Sequence, residues 1–174
     1  MRLTGKIVLL VAGLALAACT NPGRFDESAG GAGGAGGALG GGPIVPGSAN
    51  DPTSTAYFNQ TVGDRVLFAV DRSDVTAEGQ SVLNGQATWL LNNTGFTAVI
   101  EGHADEQGTR EYNVALGARR ANSVREYLIS RGVAGNRLRT VSYGKERPIE
   151  ICSNEACYAK NRRAVTVLAG GLSG

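Results

Sequence analysis

Between Gly30 and Gly42 the chain is written almost entirely in Gly and Ala. Such a run has no side chains large enough to bury, so nothing offsets the entropy lost on ordering it. Any core must therefore form from residues beyond it, and the segment after it is long enough for one. The reading that results is residues 1–18 as a processing segment, 19–61 as a linker, 62–169 as one globular domain and 170–174 as a tail. As a flexible coil the linker from Thr20 to Thr61 has an r.m.s. span of about 35 Å. Fully stretched it would reach roughly 140 Å. The run also contains G-x-G-x-x-G at Gly31–Gly36. A dinucleotide loop needs a strand before that pattern and a helix after it, and neither is present.

The first residues have the pattern of a secretory signal peptide. Arg2 and Lys6 are cationic, Ile7 to Leu16 is apolar, and small residues follow. The apolar run is too short for a bilayer, which needs ~17–25 residues. Leu16-Ala17-Ala18-Cys19 resembles a bacterial lipobox. On that reading Cys19 becomes the first mature residue and is acylated; ordinary cleavage leaving a free thiol is the alternative. Acylation adds ~0.8 kcal/mol per buried CH₂, so several chains anchor stably.

Removing the signal also removes Arg2 and Lys6, the whole excess of 17 basic over 15 acidic residues. The mature side chains then balance, and there is no basic footprint for nucleic acid. Of the three cysteines, Cys19 is assigned to lipid. Cys152 and Cys157 form an even pair in an oxidising compartment, which favours a disulfide over free thiols. A metal site wants four Cys/His ligands, and the chain has one His, His103. No metal and no cofactor is expected.

Within the domain, Asp64 to Phe68 is β-prone. Thr76 can cap a helix over Ala77 to Asn93, where Leu83, Ala87, Leu90 and Leu91 recur at helical spacing. Phe96, Ala98 and Ile100 alternate as in a strand. Glu111 to Arg131 is a second periodic helix through Leu116, Val124, Tyr127 and Leu128, ended by Gly132. Leu138 to Tyr143 reads as a strand, Glu155 to Asn161 as a short helix, and Ala164 to Leu168 as a last strand. The order βαβα–β–αβ predicts an α/β sandwich with helices on one side of a mixed four-stranded sheet.

The sharpest local pattern is Gly102 to Asn113 followed by Leu116 to Ala121. It puts Asp105 in a loop before a helix. Asn113, Leu116 and Arg120 fall at i, i+3 and i+7 of that helix and so share one face. A carboxylate, a guanidinium and an amide around one concavity could hold a zwitterion, the carboxylate accepting from an ammonium and the guanidinium donating to a carboxylate. From spacing alone, a helix cap at Asp105 and a solvated Arg120 are the more usual arrangement. Arg110, Glu111 and Arg119 read as surface charges. His103 reads as structural, its imidazole serving backbone groups of the loop.

Several segments together resemble the OmpA-like peptidoglycan-binding domain. They are Val66-Leu67-Phe68 with Asp71, Gly102-His103-Ala104-Asp105, Tyr112-Asn113, Leu116, Arg119-Arg120-Ala121, Tyr143-Gly144 and Asn161-Arg162-Arg163. Val141 to Pro148 and Tyr158 to Val165 are most similar to the lipid-anchored, Tol-associated branch of that family. The resemblance implies a peptidoglycan ligand, the free zwitterionic end of diaminopimelate. Asp105 would take its ammonium and Arg120 its carboxylate, with backbone amides near Val70 and Asp71 completing the cradle and Asn113 and Leu116 lining it. Val70 stands where close relatives often carry Phe. Asn161, Arg162 and Arg163 are expected to tie the last helix to the sheet. The family further implies TolB and the Tol proteins as partners, and an outer-membrane lipoprotein whose domain lies in the periplasm.

Two rivals belong to other classes. A wall hydrolase would need a nucleophile with a base, or metal ligands, within reach of one another. The chain has no G-x-S-x-G and no second His. A signalling lipoprotein of the same fold would bind wall but report to an inner-membrane receptor. The residues favour a non-enzymatic tether over both.

Overall fold

A computed structural model of the chain describes residues 44–151 and 153–170. The signal segment, Cys19, the Gly/Ala run, Cys152 and residues 171–174 lie outside the described residues. Four strands, β1 (Arg65–Leu67), β2 (Phe96–His103), β3 (Leu138–Gly144) and β4 (Arg163–Gly170), form one sheet in the order β1-β4-β2-β3. β2 pairs parallel with β3, while β4 lies antiparallel between β1 and β2. The sheet is therefore mixed, as predicted.

The helices begin with a single turn, α1 (Thr55–Tyr57), which runs on into a π-helical stretch over Phe58–Gly63. α2 (Ala77–Asn92) and α3 (Arg110–Ser130) supply the main packing layer, and α4 (Glu155–Asn161) leads into β4. Thr76 caps α2, its hydroxyl accepting from the Gly79 amide at 3.1 Å. α3 starts one residue earlier than the periodicity suggests, because Thr109 caps it. It ends where Gly132 takes a φ of +98°.

The core lies between this layer and the sheet, built from Leu83, Leu90, Val124 and Leu128 against Val66, Ala98, Ile100 and Ala164. Each such Leu or Ile contributes roughly 1.5–3 kcal/mol on burial. One position departs from the predicted stripe: Leu91 is 44% exposed, while Gln86 is fully buried. The Gln86 amide is satisfied on both sides, donating to the Gly63 carbonyl at 2.7 Å and accepting from the Thr166 hydroxyl at 2.8 Å. A buried amide so paired removes the usual cost of a polar group in a core.

The fold also starts earlier than the linker composition suggests. The sequence reading extends a structureless tether to Thr61, yet Ser54 caps α1 and Phe58 is fully buried. Phe58 packs on Trp89, and Trp89 on Phe96, each pair with ring centroids 5.0 Å apart. The Trp89 indole donates to the Pro52 carbonyl at 2.7 Å. Phe58 belongs to no apolar period along the chain; it becomes core only through a partner far away in sequence.

Candidate ligand-binding site

The site is built on a close crossing of β2 and α3. A Cβ on Gly102 would lie 1.8 Å from the Gly117 carbonyl oxygen, so strand and helix backbones touch there. That approach presses the first half of α3 against the end of β2 and the loop after it. Asn113, Leu116 and Arg120 all turn inward on this face and are buried. The loop is pinned from several directions. The Ala104 amide donates to the Gly144 carbonyl at 2.8 Å, Asn113 Nδ2 donates to the Gln107 carbonyl at 2.7 Å, and Lys145 Nζ donates to the Gly108 carbonyl at 2.8 Å. Asp105 Oδ1 accepts from the Gln107 amide at 3.2 Å.

The opposite wall is a turn over Ala69–Arg72, closed by a 3.2 Å bond from the Arg72 amide to the Ala69 carbonyl. Its third residue, Asp71, has φ +55° and is the one non-Gly residue with positive φ among those described. Asp is one of the few side chains tolerated in that region. The Tyr112 hydroxyl donates to Asp71 Oδ1, which ties the turn to α3 and raises the tyrosine's pKa.

Between the walls is a cavity of about 220 Å³ lined by Val70, Asp71, Asp105, Gln107, Gly108, Tyr112, Asn113 and Leu116. Five of the six predicted ligand-binding residues thus meet in one concavity. Arg120, the sixth, is placed differently. It is fully buried and is not among the lining residues. Its guanidinium donates to three backbone carbonyls, from Nε to Arg72 at 2.8 Å, from Nη1 to His103 at 2.8 Å and from Nη2 to Ala69 at 3.1 Å. It also stacks over the Phe68 ring at 5.2 Å. Burial lowers its pKa to about 10, with the Asp105 charge opposing the shift. The group stays cationic at neutral pH and one N–H remains on each terminal nitrogen.

Sequence reasoning missed the protein's own partner for Asp105. Arg162 Nη1 donates to Asp105 Oδ2 at 3.2 Å, Nε donates to the Phe68 carbonyl at 3.1 Å, and Nη2 binds Glu155. The expected tie between last helix and sheet thus also holds the Asp105 carboxylate. Asn161 holds the neighbouring loop, donating to Glu106 Oε1 at 3.0 Å and accepting from the Ile149 amide at 2.9 Å. The reading of His103 is corrected. Its backbone carbonyl accepts from Arg120, while both imidazole nitrogens are buried without a hydrogen-bond partner among the described residues. Nε2 lies 3.7 Å from Glu101 Oε2. Burial, with Arg163 and Arg147 adding to it, lowers the imidazole pKa to about 4. Cys157 is disulfide-bonded.

A larger cavity, about 640 Å³, lies between α2 and the π-helical stretch and is lined by Tyr57, Val62, Trp89 and their neighbours. Among the described residues, no charged side chain lines it. The smaller cavity, with two carboxylates in its wall and a guanidinium behind it, is the one suited to an ionic ligand.

The chain is similar to known proteins in sequence and in fold. The pattern of the OmpA family matches residues 67–162. The chain is 49% identical to the peptidoglycan-associated lipoprotein of Rhizobium meliloti over 96% of its own length and 89% of that protein. It is 42% identical to the protein of that name from Legionella pneumophila, covering 91% of each. Among solved structures, the peptidoglycan-associated lipoprotein of Burkholderia pseudomallei superposes with a TM-score of 0.62 at 37% identity, over 70% of this chain and 98% of that one. The C-terminal domain of Helicobacter pylori MotB shares the fold, with a TM-score of 0.58 at 22% identity over 63% of this chain and 86% of that one.

Proposed function

The chain belongs to the OmpA family, and from that premise we propose that it is an outer-membrane lipoprotein whose folded domain binds peptidoglycan without catalysis. The ligand is the free end of diaminopimelate, an ammonium and a carboxylate on one carbon. Asp105 accepts from the ammonium. The carboxylate lies toward Arg120 and the amides of Val70 and Asp71, which have no acceptor among the described residues. Asn113 and Leu116 complete the wall. The observation that carries the reading is the meeting of Asp105, Asp71 and the Val70 turn in one cavity, with the Arg120 charge directly behind it. Either charge alone would be costly to desolvate, and a zwitterion gives each a partner.

Around this grip the rest of the chain forms a tether. A lipid on Cys19 holds one end in the outer membrane, and the Gly/Ala-rich composition between it and the domain suits a tether. Modest affinity suffices, because membrane and wall confine both partners and raise their effective concentration. The same family membership supports TolB and the Tol proteins as partners, with a role in envelope integrity and constriction at division.

Co-sedimentation with purified sacculi tests the site. Asp105→Asn should abolish retention while circular dichroism is unchanged, and Arg120→Ala should do likewise if it folds. Full retention of Asp105→Asn would refute the assignment. Release of soluble muropeptides by the wild type would instead favour a hydrolase. A pull-down that retained an inner-membrane receptor in place of TolB would favour the signalling reading.

A further inference from the structure

Asp105 faces two demands that conflict. Its carboxylate is only 11% exposed, and a buried anion needs a cation beside it. Yet an anion fully paired within the protein has little left for an incoming ammonium. The contacts of Arg162 resolve this. One of its five N–H groups goes to the Phe68 carbonyl. Nη1 is divided between Asp105 Oδ2 at 3.2 Å and Glu155 Oε2 at 3.4 Å, and Nη2 goes to Glu155 Oε1. Glu155 therefore takes two of the three bonds that Arg162 makes to carboxylates. Asp105 keeps one, and with the Gln107 amide on Oδ1 about half of its acceptor capacity stays open.

Glu155 lies outside the cavity. Its side chain is 65% exposed, in the first turn of α4. That turn is fixed, because Asn154 caps it through the Cys157 amide at 3.2 Å and Cys157 is disulfide-bonded. Glu155 is thus held where it can draw the guanidinium away from the pocket without reaching the ligand.

We infer that Glu155 is a positioning residue for ligand binding, sharing Arg162 so that Asp105 remains an effective anion toward the ligand's ammonium group. Without the Glu155 charge, Arg162 swings wholly onto Asp105 and makes a neutral, two-bonded pair. An ammonium must then displace a guanidinium instead of joining one. The inference rests on the proposed function, in which Asp105 accepts from the ammonium.

The test uses the full chain and two forms of one probe, diaminopimelate-containing sacculi untreated and after N-acetylation of the free amine. The wild type should hold the untreated form at least about tenfold more tightly, the scale of a charge-assisted hydrogen bond. Glu155→Gln should lose most of that preference, falling toward the acetylated value on untreated sacculi and staying unchanged on acetylated ones. Glu155→Asp, which keeps the charge, should retain most of it. An undiminished preference in Glu155→Gln, or an equal loss on both probes, would overturn the inference while leaving Asp105 as the ammonium site. A wild type with no preference would overturn the ammonium site itself, and the role of Glu155 with it.

Discussion

Gly102 of β2 and Gly117 of α3 lie in backbone contact, and neither position has room for a methyl group. A Cβ on Gly102 would meet the Gly117 carbonyl oxygen at 1.8 Å, whereas one on Gly117 would meet the Ser142 hydroxyl at 2.4 Å and the Gly102 carbonyl oxygen at 2.8 Å. The first clash is with fixed backbone and the second is partly with a movable side chain. Gly102→Ala should therefore destabilise by about 3 kcal/mol or more. Gly117→Ala should cost less, since the helix gains up to ~1 kcal/mol in propensity. Urea denaturation of the two variants checks the order.

Arg120 braces the pocket as well as charging it. Its fork reaches the carbonyls of Ala69 and Arg72, the two ends of the turn that carries Asp71. Lysine keeps the charge but has a single nitrogen and cannot span three carbonyls. Arg120→Lys is expected to lose about 2–4 kcal/mol of stability through buried carbonyls left unpaired. Hydrogen exchange at the Arg72 amide, which closes the turn on the Ala69 carbonyl, should accelerate before global unfolding; unchanged exchange there would refute the bracing role.

Tyr112 is 45% exposed and its hydroxyl holds Asp71. Tyr112→Phe should leave the unfolding free energy within ~0.5 kcal/mol of wild type, as exposed sites usually do. It should nevertheless weaken sacculus binding several-fold, because the turn bearing the Val70 and Asp71 amides is released. Equal binding by the variant would show that the turn holds its shape through Arg120 alone.

His103 gives the domain a predictable response to acid. Its pKa in the folded state, about 4, lies below the ordinary value of 6.5. The folded state therefore resists a proton that the unfolded chain accepts. This contribution is fully present above pH ~6.5, is lost progressively as pH falls toward 4, and changes no further below that. The total loss is about 3 kcal/mol. His103→Phe should flatten this part of the stability profile when urea midpoints are followed from pH 7 to pH 4.

Local and distant signals divide what is legible in the chain. Alternation at Phe96, Ala98 and Ile100, the cap at Thr76 and the stop at Gly132 are local, and each element they mark is present. The shared face of Asn113, Leu116 and Arg120 is likewise a matter of helical spacing. Partners across the fold leave no such trace. Arg162 reaches Asp105, and Tyr112 reaches Asp71, only because sheet and helices bring distant residues together. Phe58 and Gln86 are illegible for the same reason, one an aromatic without periodic neighbours and the other a polar residue on a buried face. His103 misleads in the opposite direction. Its neighbours in sequence suggest backbone partners, but its side chain lies among residues of other strands.

The place of β4 in the sheet has a consequence for how this protein is made. The final strand in chain order is an inner one, between β1 and β2, and Arg162 stands immediately before it. A ribosome releases the chain from the other end. Until the last stretch of chain is in place, β1 has no neighbour to pair with and Asp105 lacks its hydrogen-bonded guanidinium, Arg162. Closure of the sheet and the pairing of Asp105 with Arg162 are therefore one event, set by the last residues of the domain to be made.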